Sequence, residues 1–151
     1  MRRSDVSPVA ASTSGYSGTP LAQKLGLKDG QRVMFIDLPP SLDSLRSSRD
    51  FGETVGGAWS KLKAAKGFDL IHGFTASRAT LEKSAMPLLN AITRDGTVWI
   101  SWPKKASKVS TDITEDVIRE VLLPTGLVDV KVAAVDDVWS GLKLVIRKEL
   151  R

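Results

Sequence analysis

The stretch Gly96-Thr97-Val98-Trp99-Ile100-Ser101-Trp102-Pro103-Lys104-Lys105 decides the fold that we expect for this chain. The segment from Val98 to Trp102 is apolar except for Ser101, which is typical of a buried strand in a parallel sheet. Pro103 lacks a backbone donor and therefore ends the strand. Trp99 and Trp102 have opposite parity, so we expect them on opposite faces, each beneath helices. The two lysines then lie at the carboxyl end of a buried strand.

The composition sets limits on the kind of protein. A chain of 151 residues, 42% hydrophobic and 26% charged, is expected to form one globular domain. The absence of cysteine excludes disulfides, thiolate metal sites and a cysteine nucleophile, and the single histidine excludes a multi-histidine metal site within one chain. The net charge of +5 favours acidic partners. No segment resembles a signal peptide or a membrane span, which predicts a cytoplasmic protein with no membrane partner.

The chain before the central strand divides into a tail and two strand units. Residues 1–14 show no periodicity and are predicted to be a disordered tail, and residues 15–151 to form a single domain. Thr19-Pro20 is expected to start a short helix that ends at Gly26. The run 32–36 predicts a buried strand, which stops at Asp37-Leu38-Pro39-Pro40.

The segment 52–66 is predicted to be a helix, because its apolar residues recur at helical spacing. The pair Gly56-Gly57 weakens that helix by about 1 kcal/mol per glycine relative to alanine. A close contact between helix and sheet would explain the pair. The run 68–74 predicts the next strand.

The second half of the chain alternates further between helices and strands. Thr75 or Ser77 is expected to cap a helix that contains Pro87 and therefore kinks or splits into two. Asp112 and Glu115 have the spacing of a capping box for the following helix. The alternation in 128–135 predicts an edge strand, and a hairpin leads to the last strand at 142–147.

This order of elements predicts a three-layer, Rossmann-like α/β sandwich. Helices that cross between consecutive strands imply a parallel sheet with right-handed connections. The final hairpin makes the last strand alone antiparallel. The expected sheet is therefore mixed and has five strands.

The C-terminal half of this pattern resembles class I methyltransferases, in which the last strand is also inserted antiparallel. The resemblance implies the strand order 1-2-3-5-4. Those enzymes carry a glycine-rich loop after the first strand, where the backbone approaches S-adenosylmethionine, and this chain has Asp37-Leu38-Pro39-Pro40 there. Two further strand units, the first of which usually carries a ribose-binding acid, are expected to be absent here.

Four blocks of the chain resemble a bacterial family of unknown function (domain-of-unknown-function family three-zero-five-two). The blocks are Gly15–Ala22, Trp102–Ser107, Thr111-Asp112 and Val138–Lys143. The resemblance implies a bacterial protein. It implies no activity, because that family has none assigned.

The carboxyl ends of the three parallel strands are expected to share one edge, where ligands of open α/β sheets bind. At that edge Lys104 and Lys105 would hold a phosphate or carboxylate, or else be solvated. His72 would act as an acid, base or donor, or else be a satisfied histidine at a strand end. Asp37 would orient a hydroxyl or pair with a lysine, or else cap a turn. Trp102 would form a wall of the pocket.

These residues favour a domain that binds a small anionic ligand at the carboxyl edge of the sheet. Whether it is an enzyme stays open, and no cofactor, metal or oligomeric state is assigned. The first alternative is a non-catalytic protein that binds an acidic protein or, less favoured, nucleic acid, because the aromatic residues are expected to be buried rather than exposed for stacking. Its basic residues would be Arg2, Arg3, Lys104, Lys105, Lys108 and Lys148. The second alternative is a divergent methyltransferase-like enzyme.

Overall fold

The computed structural model describes residues 20–151, which form a six-stranded sheet with helices on both faces. The strands are β1 (Arg32–Ile36), β2 (Glu53–Gly57), β3 (Phe68–Phe74), β4 (Ile92–Pro103), β5 (Leu127–Ala134) and β6 (Trp139–Ile146). The α-helices are α1 (Leu21–Lys24), α2 (Arg78–Ala91) and α3 (Glu115–Leu122). Short 3-10 helices span Pro40–Ser47, Trp59–Ala64, Lys105–Ser107, Leu123–Thr125 and Lys148–Leu150. The predicted tail, residues 1–14, and the segment 15–19 lie outside the described residues.

The strand order β2-β1-β3-β4-β6-β5 confirms the Rossmann-like α/β fold with a mixed sheet. β1 to β4 pair in parallel, and β6 runs antiparallel to both of its neighbours, β4 and β5. The strands predicted from the sequence follow one another in the expected order, 1-2-3-5-4. The count of five strands was wrong, since β2 adds a sixth at the edge beside β1.

The predicted helix over 52–66 was also wrong. The segment forms β2, which pairs in parallel with β1 through Met34↔Val55, and then the 3-10 helix Trp59–Ala64. Two glycines in β2 lower the helical propensity, and pairing with an existing strand overrides the helical spacing of the apolar residues. Leu62 is nevertheless buried, so this apolar residue of the predicted helix contributes to the core from a 3-10 helix instead of an α-helix.

The sheet has two differently covered faces. On the face that we call the α2 face, residues of α2, α3 and the 3-10 helix Trp59–Ala64 pack against the sheet. On the opposite side, the α1 face, α1 and the 3-10 helix Pro40–Ser47 contribute to the core. Trp99 lies on the α1 face and Trp102 on the α2 face, which confirms the parity prediction. The indole N–H of Trp99 donates to the carbonyl of Leu25 at 2.9 Å and so ties α1 to the sheet.

The helix caps differ in part from the prediction. Ser77 caps α2, as expected, because its hydroxyl accepts from a backbone N–H of the first turn. The capping box was wrong: α3 is capped by Thr114, and the carboxylate of Asp112 accepts from the first N–H of α2 at 2.7 Å. Thr111 donates to the carbonyl of Ala76 at 2.8 Å, which brings this loop to the start of α2. Asp112 therefore joins two segments that are distant in the chain.

The edge strand β5 and the helix α2 show two smaller features. A bulge between Asp129 and Lys131 shifts the register of β5 against β6, so the predicted alternation breaks and Val130 is 51% exposed. Pro87 lies inside one helix, α2, rather than between two.

None of the helices within residues 20–151 has the length and apolar character to span a bilayer.

Candidate functional site

The sheet reverses its direction of growth between β1 and β3. β2 lies on one side of β1, and β3 and β4 follow on the other side. In open α/β sheets ligands bind outside the carboxyl ends of the strands at such a switch point. The relevant surface is therefore formed by the chain that leaves β1 at Asp37 and the chain that leaves β3 at Thr75.

Asp37 lies at this edge with an unusual backbone conformation. Its φ of 53° is in the left-handed region, which few residues other than glycine adopt. Its backbone N–H donates to the carbonyl of Gly57 at 2.9 Å, so the turn also connects the ends of β1 and β2. The carboxylate is exposed and therefore accessible to a ligand.

His72 does not reach the edge. Its side chain is fully buried on the α1 face, stacked on Phe74 with ring centroids 4.3 Å apart. Its Nε2 forms a hydrogen bond of 2.7 Å with the hydroxyl of Ser101, while Nδ1 has no hydrogen-bond partner among residues 20–151. Burial lowers the pKa of His72 to about 3, because the charged form would be desolvated. As placed, His72 is a neutral core residue without the solvent access that an acid or base needs.

Trp102, Lys104 and Lys105 lie at the end of β4, one strand away from the switch point. Trp102 is only 8% exposed and belongs to the core of the α2 face. The backbone N–H of Lys104 donates to the carbonyl of Val138 at 2.7 Å, which joins the end of β4 to the β5–β6 hairpin. The side chain of Lys105 is exposed. The structure thus keeps the two lysines on the predicted edge but separates them from Asp37 by β3.

Trp59 belongs to the segment 52–66 that was predicted to be a helix, and it lies at the switch point. Its indole N–H donates to the carbonyl of Phe74, the last residue of β3, at 3.0 Å. The ring lies against Gly73, where a Cβ would overlap it. A glycine in an otherwise bulky strand was the available signal, because it marks a close approach of another group.

A cavity of about 350 Å³ lies between the 3-10 helix Trp59–Ala64 and α2. Its lining combines an indole and apolar groups with hydroxyls and two ammonium groups: Trp59, Ser60, Leu62, Lys63, Thr80, Lys83, Ser84 and Pro87. The lining contains no carboxylate. Within residues 20–151 neither Lys63 nor Lys83 forms an ion pair. We call this space the Trp59 cavity.

Two further cavities lie elsewhere on the sheet. One of about 430 Å³ lies beside the edge strand β2, with an apolar floor that includes Met34 and Phe68 and with Lys61 in its wall. Another of about 320 Å³ lies at the amino ends of β3 and β4 and is lined by both lysines and carboxylates, among them Lys143 and Asp69. None of the three cavities is lined by any of the five residues predicted from the sequence, Asp37, His72, Trp102, Lys104 and Lys105.

The pKa of Lys143 is lowered, first by desolvation and then by the charges of Lys131 and Lys28. Lys131 lies directly opposite Lys143 across the β5–β6 pair, so two like charges face each other. No group of three or more histidine, aspartate or glutamate side chains within the described chain is arranged to hold a metal ion.

The fold of this chain is similar to that of several solved structures. The chain is similar to the fibrillarin pre-rRNA processing protein of Methanococcus jannaschii, with a TM-score of 0.53 and 12% identity over 80% of this chain and 68% of that one. It is similar to TrmN of Thermus thermophilus, with a TM-score of 0.54 and 12% identity over 83% of this chain and 47% of TrmN. It is also similar to LepI in complex with SAM, with a TM-score of 0.53 and 12% identity over 84% of this chain and 39% of LepI.

These similarities show that the fold is the Rossmann-like fold of class I methyltransferases. The chain spans less than half the length of TrmN and of LepI. No protein-family model matches the chain. A search of curated proteins finds no similar protein. The resemblance of four sequence blocks to an uncharacterised bacterial family therefore stays a prediction.

Proposed function

We propose that this chain is a binding domain for a small anionic ligand, and that the ligand occupies the Trp59 cavity, which reaches the carboxyl edge of the sheet at Trp59. The observation that carries the proposal is the composition of that cavity. Two lysines and three hydroxyl groups share a concave space with an indole ring, and no carboxylate neutralises them. Pockets for small ligands combine apolar walls with a few polar groups in this way.

The position of the cavity supports the same conclusion. Trp59 is held at the end of β3 by its hydrogen bond to Phe74, so one wall lies at the switch point of the sheet. Thr80 and Ser84 lie on one face of α2 and present hydroxyl groups that can donate to an anion. We place Asp37, Lys104 and Lys105 along the same edge but outside the cavity, where the two lysines contribute only a long-range attraction for an anion that salt screens.

The test is a binding screen followed by calorimetric titration of the hits. The screen uses inorganic phosphate, citrate, AMP and a sugar phosphate as probes. For a probe that binds, we expect Lys63→Gln and Lys83→Gln each to raise Kd about tenfold, because each removes one charge-assisted hydrogen bond. Lys104→Gln and Lys105→Gln remove the same charge from the same edge and serve as matched controls, for which we expect a change below about twofold.

Two outcomes would overturn the proposal. If Lys104→Gln or Lys105→Gln weakens binding as strongly as Lys63→Gln, the ligand lies at the end of β4 and not in the Trp59 cavity. If none of the anionic probes binds, the small-ligand function itself fails. Salt-sensitive binding of an oligonucleotide without binding of small anions would instead favour the interaction protein that acts on an acidic partner.

A second candidate function is a methyltransferase-like enzyme, favoured by the fold shared with LepI, which was solved with SAM. The residues at the expected cofactor position do not fit SAM in the manner of those enzymes. The chain leaves β1 through Pro39 and Pro40, which have no N–H to offer, where those enzymes have a glycine-rich loop. β2 ends in Gly56-Gly57 and is followed by Ala58, without the acid that binds ribose in that family.

The structure corrects one expectation on this point. The first of the two strand units that were expected to be absent is present as β2, parallel to β1. The poor fit to SAM therefore results from the residues at the strand ends and not only from a missing strand unit. Adding SAM to the binding screen tests this candidate directly: saturable binding of SAM, unaffected by Lys63→Gln, would favour it over the anion-binding domain. For either function we place the protein in the cytoplasm.

A further inference from the structure

The pair Gly56-Gly57 has a structural explanation that the helix predicted there did not provide. The two glycines are the last residues of the edge strand β2, paired with Phe35 and Ile36 of β1. They lie at the carboxyl edge of the sheet, on the side of β1 away from the Trp59 cavity. Neighbouring residues of a strand point to opposite faces, so each glycine opens a space on a different face.

A cationic side chain fills each of these spaces. The guanidinium of Arg46 lies where a Cβ of Gly56 would be, and the side chain of Lys61 lies where a Cβ of Gly57 would be. The Cδ of Lys61 is 2.6 Å and its Nζ 3.2 Å from that Cβ position. Arg46 comes from the 3-10 helix before β2 and Lys61 from the 3-10 helix after it. Two cations from separate segments thus bracket the end of one strand.

The backbone adds a donor between the two cations. The carbonyl of Gly57 faces β1, because it accepts from the N–H of Asp37. In a parallel strand the N–H and C=O of one residue point to the same side and those of the next residue to the other side. The N–H of Gly56 therefore points outward from the edge of the sheet. No hydrogen bond from this N–H to another described residue is present.

The charges at this position are poorly compensated. The nearest carboxylate to Arg46 is that of Asp43, at 3.8 Å and 77% exposed, which is a weak surface pair. Lys61 forms no ion pair with any residue of 20–151. Glu53, at the other end of β2, is engaged by Arg32 at 2.7 Å. At the end of β2, Arg46 therefore has only this weak, exposed partner, and Lys61 has none within residues 20–151.

We propose that Arg46, Lys61 and the N–H of Gly56 form an oxyanion site, which we call the β2-end site, and that it takes the phosphate group of a phosphorylated small molecule. A guanidinium, an ammonium and a backbone N–H are the donors that bind phosphate in proteins. The same donors disfavour S-adenosylmethionine, whose sulfur is a cation. The β2-end site does not depend on the Trp59 cavity, because the two share no residue.

The experiment is a titration of ¹⁵N-labelled full-length protein with inorganic phosphate, followed by amide chemical shifts. We expect saturable shifts at Gly56 and Gly57. Arg46→Gln and Lys61→Gln should each weaken binding about tenfold, the value of one charge-assisted contact. Lys148→Gln, an exposed lysine in the C-terminal 3-10 helix, is the charge-matched control and should change Kd less than about twofold.

Gly56→Ala provides the sharper variant, because it leaves the net charge unchanged. Its Cβ would displace the guanidinium of Arg46, which is the mobile end of a long side chain, so the fold should persist while phosphate binding weakens severalfold. The proposal is overturned if Gly56→Ala binds phosphate like the wild type, or if Lys148→Gln weakens binding as much as Lys61→Gln. Shifts confined to the amides of Thr80 and Ser84 would also overturn it, while supporting the Trp59 cavity.

Discussion

Acidification from about pH 7.5 to about pH 5.0 should destabilise this protein through a single residue, His72, which is its only histidine. His72 is fully buried, and burial lowers its pKa to about 3 in the folded state. In the unfolded chain its pKa is that of a free imidazole, about 6.5. The unfolded state therefore binds a proton in this pH range and the folded state does not.

The sign and size of the effect follow from proton linkage. Stability is fully present above the unfolded pKa and falls as pH drops through it, until the folded pKa is reached. Over this interval the free energy of unfolding should decrease by about 2 kcal/mol. At about pH 5.0 the imidazole is almost fully protonated in the unfolded chain, because its pKa there is near 6.5, but it stays neutral in the folded protein. Carboxylates contribute little in this range, since they titrate mainly below about pH 4.5.

The assay is urea denaturation at both pH values, together with the NMR signal of the imidazole Hε1 proton of His72. His72→Gln is the matched variant, because it keeps a polar group facing the hydroxyl of Ser101 but cannot titrate. Its free energy of unfolding should be nearly independent of pH over the same interval. The reasoning is refuted if the native Hε1 signal titrates with a midpoint near 6.5, or if His72→Gln loses the same stability on acidification.

Further changes test individual contacts by urea denaturation. Trp99→Phe removes the N–H that binds the carbonyl of Leu25 and should cost about 1–3 kcal/mol, because that carbonyl is left buried without this donor; an unchanged stability would contradict the role of Trp99 in holding α1. Asp112→Ala removes the acceptor at the start of α2 and should cost about 0.5–2 kcal/mol, whereas Asp112→Asn should cost much less. Gly73→Ala directs a methyl group into the ring of Trp59 and should cost about 1–3 kcal/mol while shifting tryptophan fluorescence; equal spectra and stability would argue against that contact.

Much of the fold could be predicted because its signals are local. Runs such as 68–74 and 97–102 are mostly apolar, with few polar residues among them, and such runs indicate strands covered on both faces. The hairpin before the last strand fixed that strand as antiparallel, and the order of elements then implied the Rossmann-like sheet. Parity alone placed Trp99 and Trp102 on opposite faces.

The errors arose where a distant partner decides the local structure. The spacing in 52–66 fits a helix, but pairing with β1 makes its first part a strand. Asp112 has the spacing of a cap for α3, yet its carboxylate binds the start of α2, which lies far away in the sequence. The candidate site shows the same limit, since a strand-end position for His72 says nothing about which side chains cover it.

The sequence by itself determined the class of fold, the central strand and the edge of the sheet at which we propose that a ligand binds, because these follow from hydrophobic runs, proline and the order of elements. Only the tertiary structure decided which side chains reach that edge. His72 is enclosed by Phe74 and Trp99. The ring of Trp59 packs against Gly73. The side chains of Arg46 and Lys61 occupy the spaces left by two glycines. The physical reason is that burial and charge environment depend on contacts between segments that are remote in sequence, and no local pattern records these contacts.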